Sequence, residues 1–538
     1  MNAARHSLTS GLDTQSDRSA VDAAPASPAS PANPELPTAS ALLARLRSGE
    51  TSATDIVEQH IARIQRSHQA LNALTQDRFV GARAEAREAD RRQRAGEAIG
   101  RLHGLPITIK EAIDVAGMAS TFGLVSRATH RAATDEPHVE RLRAEGAIVL
   151  GKTNVAQMLF FYESENPLYG RSNHPQDAAR SPGGSSGGEA ALVATGASAL
   201  GIGTDIGGSV RIPAHFCGIV GFKPTAGRCP DFGRFSVPLG QQAIRSQIGV
   251  LARSVDDAAL ALSVLDRTVD AHAVRPLGDH RGVDLGRLRI GWHDDDGTFE
   301  ASPAIKRALR EAADALRRAG ATLVPFTPPQ AAHGMDLVYG IFGADGIATM
   351  VRQLKGERKS PQIAQLAAVA ALPRWAVKAS MSLLAALGQP TLAAGMRSFG
   401  HRDTAHYWAL VEALDDYRDL VRRAMDAVPG GPIDAILAPP CPLPAFRHRD
   451  SVQLITAGAY ACLYNALGLP AGVVPVTRVR ADETRSRPAT RDLVLKVARA
   501  VDAGSGGLPV GVQVASRAGH DEVALAIMGA IEVGLRTG

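Results

Sequence analysis

The chain of 538 residues has only four cysteines, Cys217, Cys229, Cys441 and Cys462. They follow no CxxC spacing and are too few to staple a chain of this length, which excludes a disulfide framework and points to a reducing compartment. No run of 18 uninterrupted apolar residues exists, so no segment is suited to span a bilayer, and the N-terminal MNAARHSLTSGLDTQSDRSA lacks the apolar core of a signal peptide. A soluble, cytoplasmic protein is expected. The 59 basic residues stand against 54 acidic ones, a net charge of +5, with no basic run dense enough to track a phosphate backbone. Nucleic acid is therefore not an expected partner. The histidines, His215 among them, fall into no HExxH or related ligand spacing, and no metal is expected. Aromatic residues make up only 4% of the chain, and lysine is scarce, nearly all the positive charge being arginine. Where either gathers, it is conspicuous.

What is present starts with bulk. At 45% hydrophobic content the chain can bury a large core, as two or three ordinary domains or as one large α/β enzyme. Residues 1–37 are Ala, Ser, Pro and Asp with almost no large apolar side chain, and they read as a disordered tail because nothing offsets the entropy of ordering them. A short helix is expected from Ser40 (Leu42, Leu43, Leu46). A second is opened by Ser52 with Asp55 three residues on (Ile56, Ile61, Ile64), and a charged, alanine-rich third runs from about Val80 to Gly96. In the second half, strands over Leu288–Trp292, Thr322–Val324 and Ile433–Leu437 alternate with a helix over Pro303–Arg318, an α/β pattern. The apolar stretch Pro361–Gly388 carries Pro373, Arg374 and Lys378 at its middle, which a spanning helix would not, and is expected as two helices covering the core.

The chemistry concentrates in Ser181–Arg211, SPGGSSGGEAALVATGASALGIGTDIGGSVR. Two runs of small residues, Gly183–Gly188 and Gly201–Ser209, flank an alanine-rich segment, Glu189–Ala199, expected as one helix. Glycine lets a backbone approach a ligand closely, whereas a core-building segment would use its positions for Leu, Ile and Val. The serines are the reactive side chains there. With Ser209 as nucleophile, the N–H groups of Ile206, Gly207, Gly208 and Ser209 can converge on the oxygen of an attacked carbonyl as an oxyanion hole.

Two other motifs match by letter and fail by context. Gly146 to Thr153 satisfies GxxxxGK[ST], a nucleotide-binding pattern, but the four residues between, Ala-Ile-Val-Leu, are themselves a strand where a phosphate loop is needed. Gly183–Gly187 satisfies GxSxG, but the residues before it, His174–Pro182, are turn chemistry where a nucleophile elbow needs a strand.

The GGSSGG of 183–188 followed by the GxGTDxGGSxR of 201–211 resembles the amidase signature hydrolases, and the likeness runs over roughly residues 40 to 535. The C-terminal pieces Tyr464–Thr477 and Gly507–Val514 also resemble the family, and the first, together with Tyr407-Trp408 through Tyr417-Arg418, is most similar to its fatty acid amide hydrolase branch. The resemblance implies an α/β fold with one large mixed, twisted sheet flanked by helices, filling residues 38–538. It implies a Ser–cis-Ser–Lys triad: Ser209 as nucleophile, Ser185 after a cis peptide, and Lys110, which ends the β-branched run of the family's GxPxxxK segment at Gly104–Lys110. It also implies an acyl pocket lined by part of the dense run Met158-Leu159-Phe160-Phe161-Tyr162, with Met158, Leu159, Phe160 and Ser186 as substrate contacts. Asp205 and Arg211 are expected as an ion pair holding the loop, and Lys223 as structural.

In that chemistry neutral Lys110 draws a proton through Ser185 from Ser209, and burial must lower the lysine's pKa from about 10.4 for this to work. No organic cofactor is called for. The expected substrate is a small-molecule amide with a hydrophobic acyl or aryl group. The expected assembly is a homodimer, with peripheral membrane contact through 361–388, Trp375 at the interface and Arg374 and Lys378 toward headgroups. A tRNA-dependent amidotransferase A-type subunit is the alternative, against which the Met158–Phe161 run argues because glutamine is small and polar. A nucleotide-binding protein using Gly146–Thr153 is the third.

Overall fold

The computed structural model describes residues 36–232, 240–266, 274–370, 374–396, 400–485 and 487–536. The expected tail thus lies, but for its last two residues, outside the described residues, as do Pro373 and the side chains of Arg374 and Lys378.

In chain order the strands are β1 (Leu74–Asp77), β2 (Pro106–Lys110), β3 (Ile148–Thr153), β4 (Glu165–Asn166), β5 (Gly170–Arg171), β6 (Leu200–Asp205), β7 (Val220–Lys223), β8 (Gln247–Ala252), β9 (Arg289–Trp292), β10 (Thr322–Pro325), β11 (Ala435–Ala438), β12 (Ala471–Arg478) and β13 (Pro509–Ser516). Apart from the small β4–β5 hairpin they form one sheet of 11 strands, in the order β1-β3-β2-β6-β8-β7-β12-β13-β11-β9-β10. It is mixed: β3, β2 and β6 run parallel, as do β11, β9 and β10, and antiparallel pairings join the two groups.

Strands β2, β3, β6, β8 and β13 are buried at every position. Successive side chains point to opposite faces, so complete burial means that both faces are covered, and such strands read as near-continuous apolar runs. The cover includes the helices Arg211–Cys217, Pro303–Arg318 and Asp521–Gly534 over β12 and β13, and Val255–Leu265 over β8. Each helix obeys its sequence. Pro303–Arg318 starts with proline in its first turn and buries Ile305, Leu309, Ala312, Ala313 and Leu316 along one stripe. Ala53–Leu71 is capped by Ser52, whose Oγ accepts the Asp55 N–H, and it closes on Asn72 in the left-handed conformation.

The expected helix over Glu189–Ala199 is instead Gly187–Ala194; the chain turns at Gly196, φ +65°, to enter β6 at Leu200. The stretch 361–388 forms the two helices Pro361–Ala370 and Arg374–Ala386.

Strand β3 extends beyond Leu150 through Gly151, Lys152 and Thr153, the residues a phosphate loop would use. Gly151 lies against β1, where a Cβ would come within 2.3 Å of the Gln76 carbonyl oxygen. Lys152 is fully buried, its Nζ donating to Ala119 O and Ser120 Oγ, both at 2.7 Å. Backbone N–H groups committed to a strand cannot cradle phosphate, and an ammonium turned inward cannot reach it. Magnesium–ATP should therefore leave the thermal unfolding midpoint unchanged, whereas a true nucleotide site at a hundred times its Kd would add about 2.7 kcal/mol of stability. A ligand-dependent rise in a thermal melt would contradict this assignment.

Candidate active site

Strand β6 pairs in parallel with β2, Ile109 opposite Ile202, so Lys110 at the end of β2 arrives beside Gly203 and Thr204. Its Nζ lies 2.8 Å from Ser185 Oγ, 2.8 Å from Thr204 Oγ1 and 3.3 Å from Thr204 O. The Gly184–Ser185 peptide is cis. The two glycine runs meet where the Ser186 N–H donates to Ser209 O at 3.2 Å. Ser185 and Ser209 open onto one cavity of about 230 Å³.

Burial is the largest influence on the lysine. It pushes Lys110 down to about 7, against the opposing pull of Asp231, Asp205 and Glu189. Depression alone does not single it out: burial also brings Lys152 down to about 8 and Lys223 to about 7. Geometry separates the three. Lys152 is held by Ala119 and Ser120, and Lys223 donates to Pro224 O and Leu469 O, neither lining the cavity. Glu189, behind Lys110, accepts from Thr108 Oγ1 at 2.5 Å and Thr153 Oγ1 at 2.7 Å, and burial raises its pKa to about 8. The same burial that disfavours the Lys110 ammonium thus disfavours the Glu189 carboxylate.

Asp205 ends β6 and Arg211 begins the next helix; both are fully buried and paired at 3.0 Å. All five guanidinium donors are used: Nε and Nη2 on Asp205, Nη1 on Ala461 O and Gln513 Oε1, and Nη2 also on Asn465 Oδ1. Burial alone would raise the Asp205 pKa, but the Arg211 guanidinium holds it well below the usual carboxylate range. Asp205 in turn accepts the N–H of Gly208 at 2.8 Å and of Val210 at 3.1 Å. Gly208 is thereby withdrawn from the oxyanion set expected over 206–209. Ile206, Gly207 and Ser209 line the cavity.

The residues expected as substrate contacts divide. Met158, Leu159 and Phe160 all line the cavity, together with Phe161 and Tyr162. Ser186 does not: it is fully buried, and its Oγ faces Gly203, where a Cβ would come within 2.7 Å of it, and that oxygen has no hydrogen-bond partner among the described residues. It stands behind the site, where a one-residue step along the loop turns its side chain away from Ser185's.

Sequence reasoning missed the rest of the wall. Tyr339 and Phe342 come from the helix Ala331–Phe342, Ile347 from the turn after it, and Ile455 and Cys462 from a later segment. The three-residue spacing of Tyr339 and Phe342 marks one helix face, the one signal in the sequence that could have found them. A polar side is supplied by Asp231, Gln241, Gln242, Arg245 and Ser246. The Met158–Phe161 run is shaped by three left-handed residues, Met158, Leu159 and Phe161, with φ of 54°, 63° and 70°. Such conformations persist only where surroundings impose them. Here the Met158 N–H donates to Phe122 O, and the buried Gln157 side chain bonds Arg358 O at 2.8 Å and the Ser360 N–H at 2.7 Å. Met158 and Phe161 pack with Leu124, Ile347, Met350, Leu354 and Ile363, so the helix Pro361–Ala370 rests on the cavity wall.

The amidase family model matches residues 55–525. The fatty-acid amide hydrolase 1 of Sus scrofa is 33% identical over 508 residues, 91% of this chain and 84% of that protein. The A-type subunit of a glutamyl-tRNA(Gln) amidotransferase from Synechococcus sp. is 32% identical over 454 residues, 81% of this chain and 89% of that one. A solved fatty acid amide hydrolase structure superposes with a TM-score of 0.76 at 25% identity, covering 93% of this chain and 85% of that chain.

The Arg211 network generates a stability prediction. Arg211→Met leaves Asp205 as a buried carboxylate without its cation, and the unfolding free energy in urea should fall by about 3–5 kcal/mol. A loss below about 1 kcal/mol, the size of an exposed pair, would show that the pair does not hold the loop.

Proposed function

The chain belongs to the amidase signature family and is a hydrolase of amide C–N bonds, and from that premise we propose that it cleaves a hydrophobic, fatty acyl or aryl carboxylic amide through a Ser209–Ser185–Lys110 relay. The observation that carries this reading is the 2.8 Å approach of Lys110 Nζ to Ser185 Oγ, at the wall of the cavity that Ser209 also lines.

In the proposed sequence neutral Lys110 keeps its two N–H groups on Thr204 and takes the Ser185 proton on its lone pair. Ser185 takes the proton of Ser209, whose Oγ bonds to the carbonyl carbon. The oxygen that becomes negative is received by the N–H groups of Ile206, Gly207 and Ser209, a type of donor worth about 3–4 kcal/mol each. The proton returns along the same path to the amine nitrogen, the C–N bond breaks, and water releases the acyl group from Ser209 by the reverse relay. An unperturbed lysine is neutral in roughly one molecule in 2,500 at pH 7; at the depressed value near 7, about half are.

Support for a hydrophobic substrate comes from the wall of Met158 to Tyr162 with Tyr339, Phe342, Ile347 and Ile455. The same wall speaks against a small polar glutamine side chain and so against an amidotransferase role. The fatty-acid amide hydrolase relatives favour the same substrate class. Among the described residues no helix is long and apolar enough to cross a membrane. Peripheral contact is proposed through Trp375, Leu383 and Leu387, which are 74%, 59% and 63% exposed on and just after the second cover helix. A cytoplasmic location is proposed because four cysteines, all buried, are too few to staple a chain of this length.

Labelling by a fluorophosphonate tests the nucleophile and its base together. Because Lys110 must be neutral to accept a proton, the labelling rate should rise with pH through a midpoint near 7 and fall about tenfold per unit below it. Ser209→Ala should not label at all. Labelling that persists in this variant at Ser185 or Ser186, or a rate independent of pH between 5 and 9, would remove the relay.

The substrate class has its own test. Burial of each methylene is worth roughly 0.8 kcal/mol, so four more carbons in an apolar cavity should raise kcat/KM by about a hundredfold. A series of linear amides from acetamide to decanamide should climb; a level or falling series would leave the apolar wall as plain core.

A further inference from the structure

Tyr162 ends the apolar wall, and its ring lies on the turn Ile455–Gly458 that leads into the helix Ala459–Ala466. The approach is possible only because residue 458 has no side chain. A Cβ there would lie 2.0 Å from Tyr162 Oη, 2.1 Å from Cζ and 2.3 Å from Cε2. The backbone makes no such demand: Gly458 has φ −75°, which any residue adopts. The ring, and not the turn, requires glycine.

We propose that Gly458 is a specificity-determining residue, which keeps open the part of the cavity that a long acyl or aryl group fills by letting the Tyr162 ring lie back against the turn. The inference rests on the reading that this wall receives the apolar group of the substrate. Its mechanics follow from what can move. Ordinary contact with a Cβ begins at 3.4 Å, so any side chain at 458 displaces the ring by more than an ångström. The turn cannot give way easily, because Gly458 is buried and the Ala457 N–H is bound to Leu454 O. The backbone beside the ring is held as well: the carboxylate of Glu163, the next residue, accepts the N–H groups of Arg449 at 2.6 Å and Ser451 at 2.9 Å. The cavity that Tyr162 lines is the free volume beside it, and the ring swings there, shortening the space that Ser209 faces.

The test compares Gly458→Ala with the wild type across linear amides from acetamide to decanamide, with fluorophosphonate labelling of Ser209 to count folded sites. The ratio of variant to wild-type kcat/KM should fall with chain length, by roughly tenfold or more between the two ends. Adding Tyr162→Ala to the same chain should bring the long amides back. A ratio that stays level along the series, or a long-chain loss that the second substitution does not relieve, overturns the proposal. Should Gly458→Ala fail to fold, the double variant decides: folding with long amides accepted supports the clash with the ring, and failure to fold overturns it. A level wild-type series would instead defeat the proposed substrate class, since the inference is read from the ratio of variant to wild type at each length.

Discussion

The buried ion pair of Asp205 and Arg211 is the constraint on which the reactive end of the molecule depends. Two charges removed from water are costly unless each remaining lone pair and N–H is satisfied. Here they are: the guanidinium reaches residues 461, 465 and 513, and the carboxylate takes the N–H groups of Gly208 and Val210. One side chain thus ties the glycine loop to a helix and a strand some 250 to 300 positions away in sequence. The pair also decides which backbone N–H groups face the cavity, because it takes Gly208 for itself.

Burial acts on the lysines in the same way and to a different end. Removing an ammonium from water favours the neutral amine wherever it happens, and Lys110, Lys152 and Lys223 all show it. Two of them hold strands and loops together, Lys223 through carbonyl oxygens and Lys152 through the Ala119 carbonyl and the Ser120 hydroxyl. Only Lys110, of the three, meets a serine hydroxyl that lines the cavity, so position, and not burial, sets it apart from the other two. Glu189 answers to the same force: a carboxylate near Lys110 favours the ammonium, and burial disfavours that carboxylate.

The cavity is a composite. Its apolar side joins the run at 158–162, left-handed at three of its positions, the helix face of Tyr339 and Phe342, and the turn at 455–458, while the helix Pro361–Ala370 covers the run from outside. The two apolar features that stand about 200 positions apart in the chain are one packed unit, linked through the amide of Gln157 to residues 358 and 360.

Much of this was legible in the sequence, and for a local reason. Helix limits such as Pro303–Arg318, the cap at Ser52, and the Ala-Ile-Val-Leu strand that ruled out a phosphate loop all depend on neighbours within a few residues, where periodicity and turn chemistry act. The serines, the glycine runs and the strand-end lysine could be picked out because glycine and a scarce lysine are unusual in those settings. What spacing could not reveal is where each group points. Ser185 and Ser186 are adjacent letters, yet one faces the cavity and the other Gly203; Gly208 sits among oxyanion candidates but serves Asp205. Gly458 and the wall from 339 to 347 carry no motif at all. Those decisions belong to the tertiary structure, because they are made by contacts that range from Gly208 on Asp205, three positions away, to Tyr162 on Gly458, nearly 300 away, and that fix side-chain direction, desolvation and free volume only once the chain has closed.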